Sequence, residues 1–268
     1  METIRVGNIS VVPIFDAIAI LDPAMFTLPD GSASDWGPHT HLLTNNRQMR
    51  IPVGAFLVHT AGRTILFDAG VGETDDPMFE GSALLDNFAV AGVDPCDIDT
   101  IVISHLHSDH MGWLEQNDKV TFPNATIRVG AADWDHFAVK GLGGRRRARR
   151  LAVVESRVEL IERDGEVIAP GITTRATPGH TPGHTSSVIS SNGERLIVLG
   201  DALHCPAQLT ETEWQFLYDA DKELASRTRA DLLREANEPN TALLPCHFPG
   251  MTATRLVGAN GTKQWHYA

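Results

Sequence analysis

The chain has 268 residues and carries 22 Lys and Arg against 34 Asp and Glu, a formal net charge of −12. A chain of that length buries a substantial core in one large domain or two modest ones, and 42% hydrophobic against 21% charged residues argues against a disordered or fibrous protein. The acidic balance disfavours a general affinity for nucleic-acid phosphates. Cys96, Cys205 and Cys246 lack CxxC spacing, which argues against a disulfide framework or a thiolate zinc knuckle.

The apolar stretch 9–20 is broken by Pro13 and Asp16. It is too short for a bilayer, which takes about 20 apolar residues. No basic segment follows Met1 to suggest export. The expectation is a soluble, cytoplasmic protein without membrane association.

Residues 21–50 are rich in Pro, Asp, Gly and Trp and show no period. A loop that long is often functional, so 21–50 is expected to shape a substrate pocket within a single domain spanning 1–268. Residues 53–60 and 64–68 flank a short turn and read as a hairpin. Residues 82–91 carry Leu84, Leu85 and Phe88 at helical spacing and stop at Gly92. The β-branched run at 100–104 reads as a buried strand. Further strands are expected at 126–130, 158–161, 172–176, 187–190, 195–199 and 241–245, with helices at 131–139 and 219–237. Alternating strand and helix clusters suggest mixed α/β layers with helices over sheet faces. The run 141–150, Gly-Leu-Gly-Gly followed by five arginines and an alanine, fits either a solvated face or a local site for an anion.

Twelve histidines are present, and their spacing is the informative feature. The strand at 100–104 runs into His105-Leu-His107-Ser-Asp109-His110. His105 and His107 are two apart, so in an extended segment they point to one side, while Asp109 and His110 follow where the chain must turn. One loop can then offer two histidines to one metal, and a carboxylate with a histidine to a second. Imidazole and carboxylate without thiolate suit Zn²⁺, Mn²⁺ or Fe²⁺. Further on stand Thr177-Pro-Gly-His180-Thr-Pro-Gly-His184, then Leu196-Ile-Val-Leu-Gly-Asp201, then Leu243-Leu-Pro-Cys-His247.

In order and content these motifs resemble the metallo-β-lactamase superfamily, over roughly residues 50–250. The resemblance implies an αββα sandwich of two mixed sheets with outer helices. It implies two divalent ions, zinc first, held by His105, His107 and His180 on one side and Asp109, His110 and His247 on the other, with Asp201 as the bridge. His184 is then a packing residue or supports the ligands, and Asp68, at a strand end, either orients the HxHxDH loop or is a simple strand-end carboxylate. The resemblance also suggests a homodimer. His39 and His41 belong at most to a pocket rim, and Met25, Phe26 and Trp36 line the pocket or the core.

Two such ions about 3.5–4 Å apart lower the pKa of a shared water and supply hydroxide as the nucleophile. Asp109 beside it can carry a proton to the leaving group. This describes hydrolysis of an ester, lactone or phosphotriester of a small-molecule substrate. A thioesterase of the glyoxalase II type is the alternative, and an RNA-processing nuclease a more distant one. Quorum-sensing lactonases of the superfamily carry a tyrosine three residues after the bridging aspartate, where this chain has His204. The Gly200-Asp-Ala-Leu-His204 stretch and the Cys246-His-Phe-Pro-Gly250 segment look more like the branch with methyl parathion hydrolase and related aryl esterases and lactonases. His204 is expected at the pocket beside the ions, not among their ligands.

Overall fold

A computed structural model describes residues 2–259 and 262–267. The first sheet contains β1 (Ile4–Val6), β2 (Ile9–Leu21), β3 (Met49–Thr60), β4 (Arg63–Phe67), β5 (Phe79–Gly81), β6 (Thr100–Ile103), β7 (Thr126–Gly130) and β8 (Val158–Ile161). Its order is β1-β2-β3-β4-β6-β7-β8, with β5 on β2. The strands from β1 to β4 pair antiparallel, and β4, β6, β7 and β8 run parallel. The second sheet runs β9 (Val167–Ala169), β10 (Ile172–Ala176), β11 (Thr185–Ser191), β12 (Glu194–Val198), β13 (Thr241–Leu244), β14 (Thr254–Ala259) and β15 (Thr262–Tyr267) in sequential order. Only its β12–β13 pair is parallel.

Strand alternation builds the layers. Phe56, Val58, Ile65, Phe67 and Val102 face the second sheet and pack with Ile172, Ile189, Leu196 and Val198. Their neighbours Leu57, Leu66, Ile101 and Ile103 face the other way, onto Leu84 and Phe88 of α1 (Leu84–Ala91) and onto Leu151 and Val154. The outer face of the second sheet, with Val188, Ile197 and Leu243, takes Leu232 and Leu233 of the helix Lys222–Glu235. Each fully buried side chain of this kind contributes roughly 1.5–3 kcal/mol. The result is the expected αββα sandwich.

The remaining α-helices among the described residues are α2 (Ser108–Met111), α3 (Ala131–Trp134), α4 (Gly144–Val154) and α5 (Lys222–Glu235). Asp221 caps α5 by accepting the Leu224 N–H at 2.9 Å, a bond worth about 1 kcal/mol. Helix α4 occupies the glycine- and arginine-rich run. No helix among the described residues is long and apolar enough to cross a membrane.

The apolar stretch 9–20, which the sequence pattern does not mark as a strand, forms β2, because the two residues that interrupt it are accommodated. Pro13 lies between the stretches of β2 paired with β1 and with β5, where no partner on that edge needs its missing N–H. Asp16 sits at a bulge between Phe15 and Ala17. The bulge turns its carboxylate inward, where it accepts the N–H groups of Val71, Gly72 and Leu84 and the indole N–H of Trp113.

Strand direction also places the histidine and aspartate motifs of the sequence at one edge of the sandwich. His105 follows β6, His180 lies between β10 and β11, Asp201 follows β12 and His247 follows β13. Because β12 and β13 are parallel, Asp201 and His247 leave the sheet on the same side. The Thr185 N–H to Ser104 carbonyl bond, 2.8 Å, ties the two sheets together at that edge.

Candidate metal centre

Two groups of donor atoms meet at this edge. In one, ring nitrogens of His105, His107 and His180 lie within 4.8 Å of one another. In the other, Asp109, His110, Asp201 and His247 do the same. Asp201 stands between the groups. Its Oδ1 is 3.1 Å from His110 Nε2 and 3.0 Å from His247 Nε2. Its Oδ2 is 3.5 Å from His180 Nε2 and 3.9 Å from His105 Nε2. Asp109 Oδ2 closes the second group at 3.6 Å from His110 and 3.7 Å from His247. All seven side chains that the sequence motifs pointed to are therefore brought together.

The far side of each imidazole fixes its tautomer. His110 Nδ1–H donates to Asp68 at 2.8 Å, His180 Nδ1–H to Asp219 at 2.9 Å, and His247 Nδ1–H to the Pro52 carbonyl at 2.8 Å. The Ser104 hydroxyl donates to Asp68, so its oxygen accepts His105 Nδ1–H at 3.0 Å. Each of these four rings consequently turns its Nε2 toward Asp201, and that of His180 also lies 2.9 Å from His107 Nδ1. Outer partners of this kind orient histidine ligands of a metal. The Nε2 atoms of His105 and His110 and the Oδ1 of Asp201 are buried and have no hydrogen-bond partner among the described residues. Buried polar atoms that converge at about 3 Å without bonding one another are costly unless something between them is satisfied. A divalent cation in each group fits that arrangement, and the N/O donor chemistry suits zinc.

The electrostatics agree. Burial pushes His105 and His107 well below the ordinary imidazole range. Burial also pulls on His110, but Asp201, Asp68 and Asp109 hold it well above that range. His247 is raised against the same burial penalty by Asp201. Asp201 is held well below the carboxylate range, against burial, by His247 and His110. His110, His247 and Asp201 are thus each shifted toward their charged forms by one another, a pairing of charge that a cation would take over.

His204 lines the cavity, with Nε2 3.5 Å from Asp201 Oδ2. Its ring lies 4.0 Å from that of Phe216, and neither ring nitrogen has a hydrogen-bond partner among the described residues. His184 lies behind the donors, against Asp201 and Thr177. Asp68 holds Ser104 and His110, so it does more than end a strand. His39 pairs with Glu211 at 3.0 Å and packs edge-on to Trp214, and neither it nor His41 lines the cavity. Within 21–50, Leu21 lines the cavity, whereas Phe26 and Trp36 are buried with Trp214 and Phe216 in an aromatic cluster that backs His204.

The cavity above the donors has a volume of about 240 Å³. Leu21, Ile51, Met78, Phe79 and Tyr218 form an apolar wall, and Arg147 closes the side next to His107 and Asp109. The sequence marks 141–150 as a possible anion site and 21–50 as a pocket segment, but it singles out neither Arg147 nor the wall residues Ile51, Met78, Phe79 and Tyr218, and it places Asp219 only at the start of a helix.

Residues 50–247 match the sequence pattern of the metallo-beta-lactamase superfamily. The chain belongs to this superfamily. The matched span opens in β3 and closes on His247, so it contains all seven donors, while residues 21–49, with Phe26 and Trp36 of the aromatic cluster, lie outside it. An N-acyl homoserine lactonase of Bacillus cereus is 26% identical over 205 residues, 70% of this chain and 78% of that one. The N-acyl homoserine lactonase AiiB of Agrobacterium fabrum is 31% identical over 87 residues, 26% of this chain and 32% of that one. Among solved structures, the dizinc quorum-quenching lactonase AidC, bound to its product, superposes with a TM-score of 0.82 at 22% identity, covering 99% of this chain and 96% of that one. The hydrolase AbOPH of the beta-lactamase superfamily gives the same TM-score, identity and coverage. These two superpositions show that the metallo-β-lactamase fold extends over nearly the whole chain, residues 21–49 included.

Proposed function

We propose that this chain is a dinuclear metal-dependent hydrolase acting on the carbonyl of a lactone or ester with an acyl or similarly apolar portion. The observation that carries the reading is Asp201: one carboxylate whose two oxygens face two separate groups of histidine donors at the floor of a cavity with an apolar wall. The relatives named N-acyl homoserine lactonases support the substrate class. His105, His107 and His180 would hold one ion, Asp109, His110 and His247 the other, and Asp201 both.

When bound, two divalent ions, read here as zinc, make hydroxide available near neutral pH and polarise the scissile carbonyl. The protein's own contribution is positional. Asp68, Asp219, Ser104 and the Pro52 carbonyl hold the imidazoles in one tautomer. Leu21, Ile51, Met78 and Phe79 take the apolar part of the substrate and exclude water beside the carbonyl. Asp109, the more exposed of the two carboxylates at the floor, takes up a proton and delivers it to the leaving alkoxide. His204, neutral and without a partner, offers an N–H to an oxygen on which charge develops.

A homodimer and a cytoplasmic location belong to the same reading and are checked by sedimentation velocity and cell fractionation. The decisive experiment is zinc analysis of the purified protein coupled to a panel of N-acyl homoserine lactones, other lactones, aryl esters, phosphotriesters, thioesters and β-lactams. The expected result is two zinc ions per chain with lactones or aryl esters turned over fastest. Hydrolysis confined to thioesters or β-lactams would overturn the proposal.

A further inference from the structure

Helix α4 carries its arginines to different ends. Arg146 reaches Asp75 and the Glu73 carbonyl. Arg149 pairs with Asp118 at 2.7 Å and with Glu115 at 3.4 Å, and Arg150 Nε lies 3.8 Å from Glu115. These three pin the helix to neighbouring loops.

Arg147 does something else. Its guanidinium makes no ion pair with any described residue, and its Nε is buried without a hydrogen-bond partner. It lines the cavity beside His107, Ser108 and Asp109. Its Cζ lies 4.6 Å from the centre of the Phe137 ring, and that ring stands edge-on to His107 with centres 5.8 Å apart. Packing a guanidinium over an aromatic ring occupies one face and leaves the N–H edge free.

The loop before the helix permits this pose. Gly143 has φ of +103°, and a Cβ there would lie 1.5 Å from Arg147 Nη1. The guanidinium folds back over the bare α-carbon. The neighbouring carboxylates are engaged elsewhere: Asp133 accepts from Leu106, Thr181 and Gly183, and Asp109 faces His110 and His247. A partly buried cation on a cavity wall, without an ion pair of its own, is placed to receive an anion.

We propose that Arg147 determines substrate specificity by binding a carboxylate carried by the ester or lactone, at a position other than the scissile carbonyl. This rests on the hydrolase reading above and narrows it: the favoured substrates are amphipathic, with an apolar part on the Leu21 and Phe79 wall and an anion on Arg147. Both the glycine-rich run and Arg147 within it then have a use at the site.

The test compares matched pairs of esters. One pair is the 4-nitrophenyl monoester of glutaric acid and the same ester with a terminal amide in place of the carboxylate. The other is 4-acetoxybenzoate and 4-acetoxybenzamide, which move the charge to the leaving group. The readout is the anionic-to-neutral ratio of kcat/KM, with zinc content measured for every variant. Arg147→Gln should lower that ratio by about 10- to 100-fold in at least one pair, the scale of one hydrogen bond to a charged group. Arg147→Lys should retain part of it, and Arg147→Glu should lower it further. In parallel, the Arg147 Nε–H resonance of the zinc-free protein should shift on titration with glutarate and not with glutaramide. A ratio unchanged by Arg147→Gln in both pairs, or a resonance indifferent to glutarate, overturns the assignment. If none of the four esters is hydrolysed, the hydrolase reading fails instead, and the resonance alone decides the role of Arg147.

Discussion

The backbone N–H of Asp201 donates to Nε2 of His184 at 2.9 Å. The bond sets the direction of a chain of donors. Since Nε2 accepts, the proton is on Nδ1, which donates to the Thr177 hydroxyl at 2.8 Å. Thr177 then donates to Ser186 Oγ, and Ser186 to the Leu199 carbonyl. Gly200, between Leu199 and Asp201, has φ of +57°, and a Cβ there would stand 2.6 Å from His184 Nε2. The glycine and the histidine together fix where the Asp201 backbone turns.

Removing that support should loosen the centre without removing a donor. His184→Ala leaves the Asp201 N–H buried and unpartnered, and zinc affinity should fall about 10- to 100-fold, the usual effect of losing a group that orients a ligand. Chelator competition measures it, and wild-type affinity would reduce His184 to filler. There is also a pH signature. Burial pushes the His184 pKa down to about 4. Between about pH 6.5 and 4 the unfolded chain is protonated there and the folded protein is not, so stability is complete above pH 6.5 and is lost as pH falls toward 4. The contribution is at most about 3 kcal/mol. Urea unfolding of the zinc-free protein should show a shallower loss over that window in His184→Asn than in the wild type.

Asp201→Asn should be more severe. The substitution keeps the shape and removes the charge that both donor groups share. Bound zinc should drop from two ions toward one, and kcat should fall by about 10² or more. Metal analysis and turnover of the same sample check both, and two ions with full activity would contradict the shared-carboxylate reading.

Zinc uptake should release protons. His110 is held well above the imidazole range by Asp201, Asp68 and Asp109, against its burial, so near neutral pH the zinc-free protein carries a proton there. A cation takes the place of that proton. Apparent zinc affinity should therefore rise with pH, and titration calorimetry in buffers of different ionisation enthalpy should count at least one proton released per chain. A pH-independent affinity would mean that His110 is not displaced.

These residues differ in how much of their role is local in sequence. His105, His107, Asp109 and His110 lie within six positions behind a β-branched strand, so their convergence was legible from spacing and strand geometry alone. His180, Asp201 and His247 were legible only through the resemblance to the superfamily, whose motifs the stretches 177–184, 196–201 and 243–247 match. Asp219 and Asp16 were not. Asp219 acts on His180, 39 residues away, and Asp16 on Trp113, 97 residues away, and no local pattern encodes such partners. Strand β2 escaped notice for a related reason: Pro13 and Asp16 break its apolar run, and only the neighbouring strands show that one lies at an unpaired gap and the other at a bulge. The arginine run was ambiguous because its meaning depends on which acids lie opposite. Three arginines pair with Asp75, Glu115 and Asp118, and Arg147 forms no ion pair among the described residues, although Asp109 and Asp133 lie near it.

His204 gives the sharpest separation between holding metal and acting on substrate. Its Nε2 is 3.5 Å from Asp201 Oδ2 without a hydrogen bond, and its ring is pressed against Phe216 and near Phe26. An unperturbed imidazole would add a pH dependence near 6.5 to turnover, and the structure changes that expectation. Burial pushes the His204 pKa down to about 3, so the ring is neutral throughout the working range. Its contribution is an N–H offered to an oxygen that gains charge, and such a donor is worth roughly 10²–10³ in rate. His204→Ala should therefore lower kcat on that scale and leave zinc content at the wild-type level. The shape of the pH profile between 5.5 and 8 should be the same in wild type and variant, because no proton leaves or joins the ring there. His204→Asn, which keeps a donor on a shorter stem, should recover part of the loss, whereas His204→Phe, which fills the space without a donor, should not. Equal turnover in the Phe and Asn variants would make the residue a packing element of the aromatic cluster.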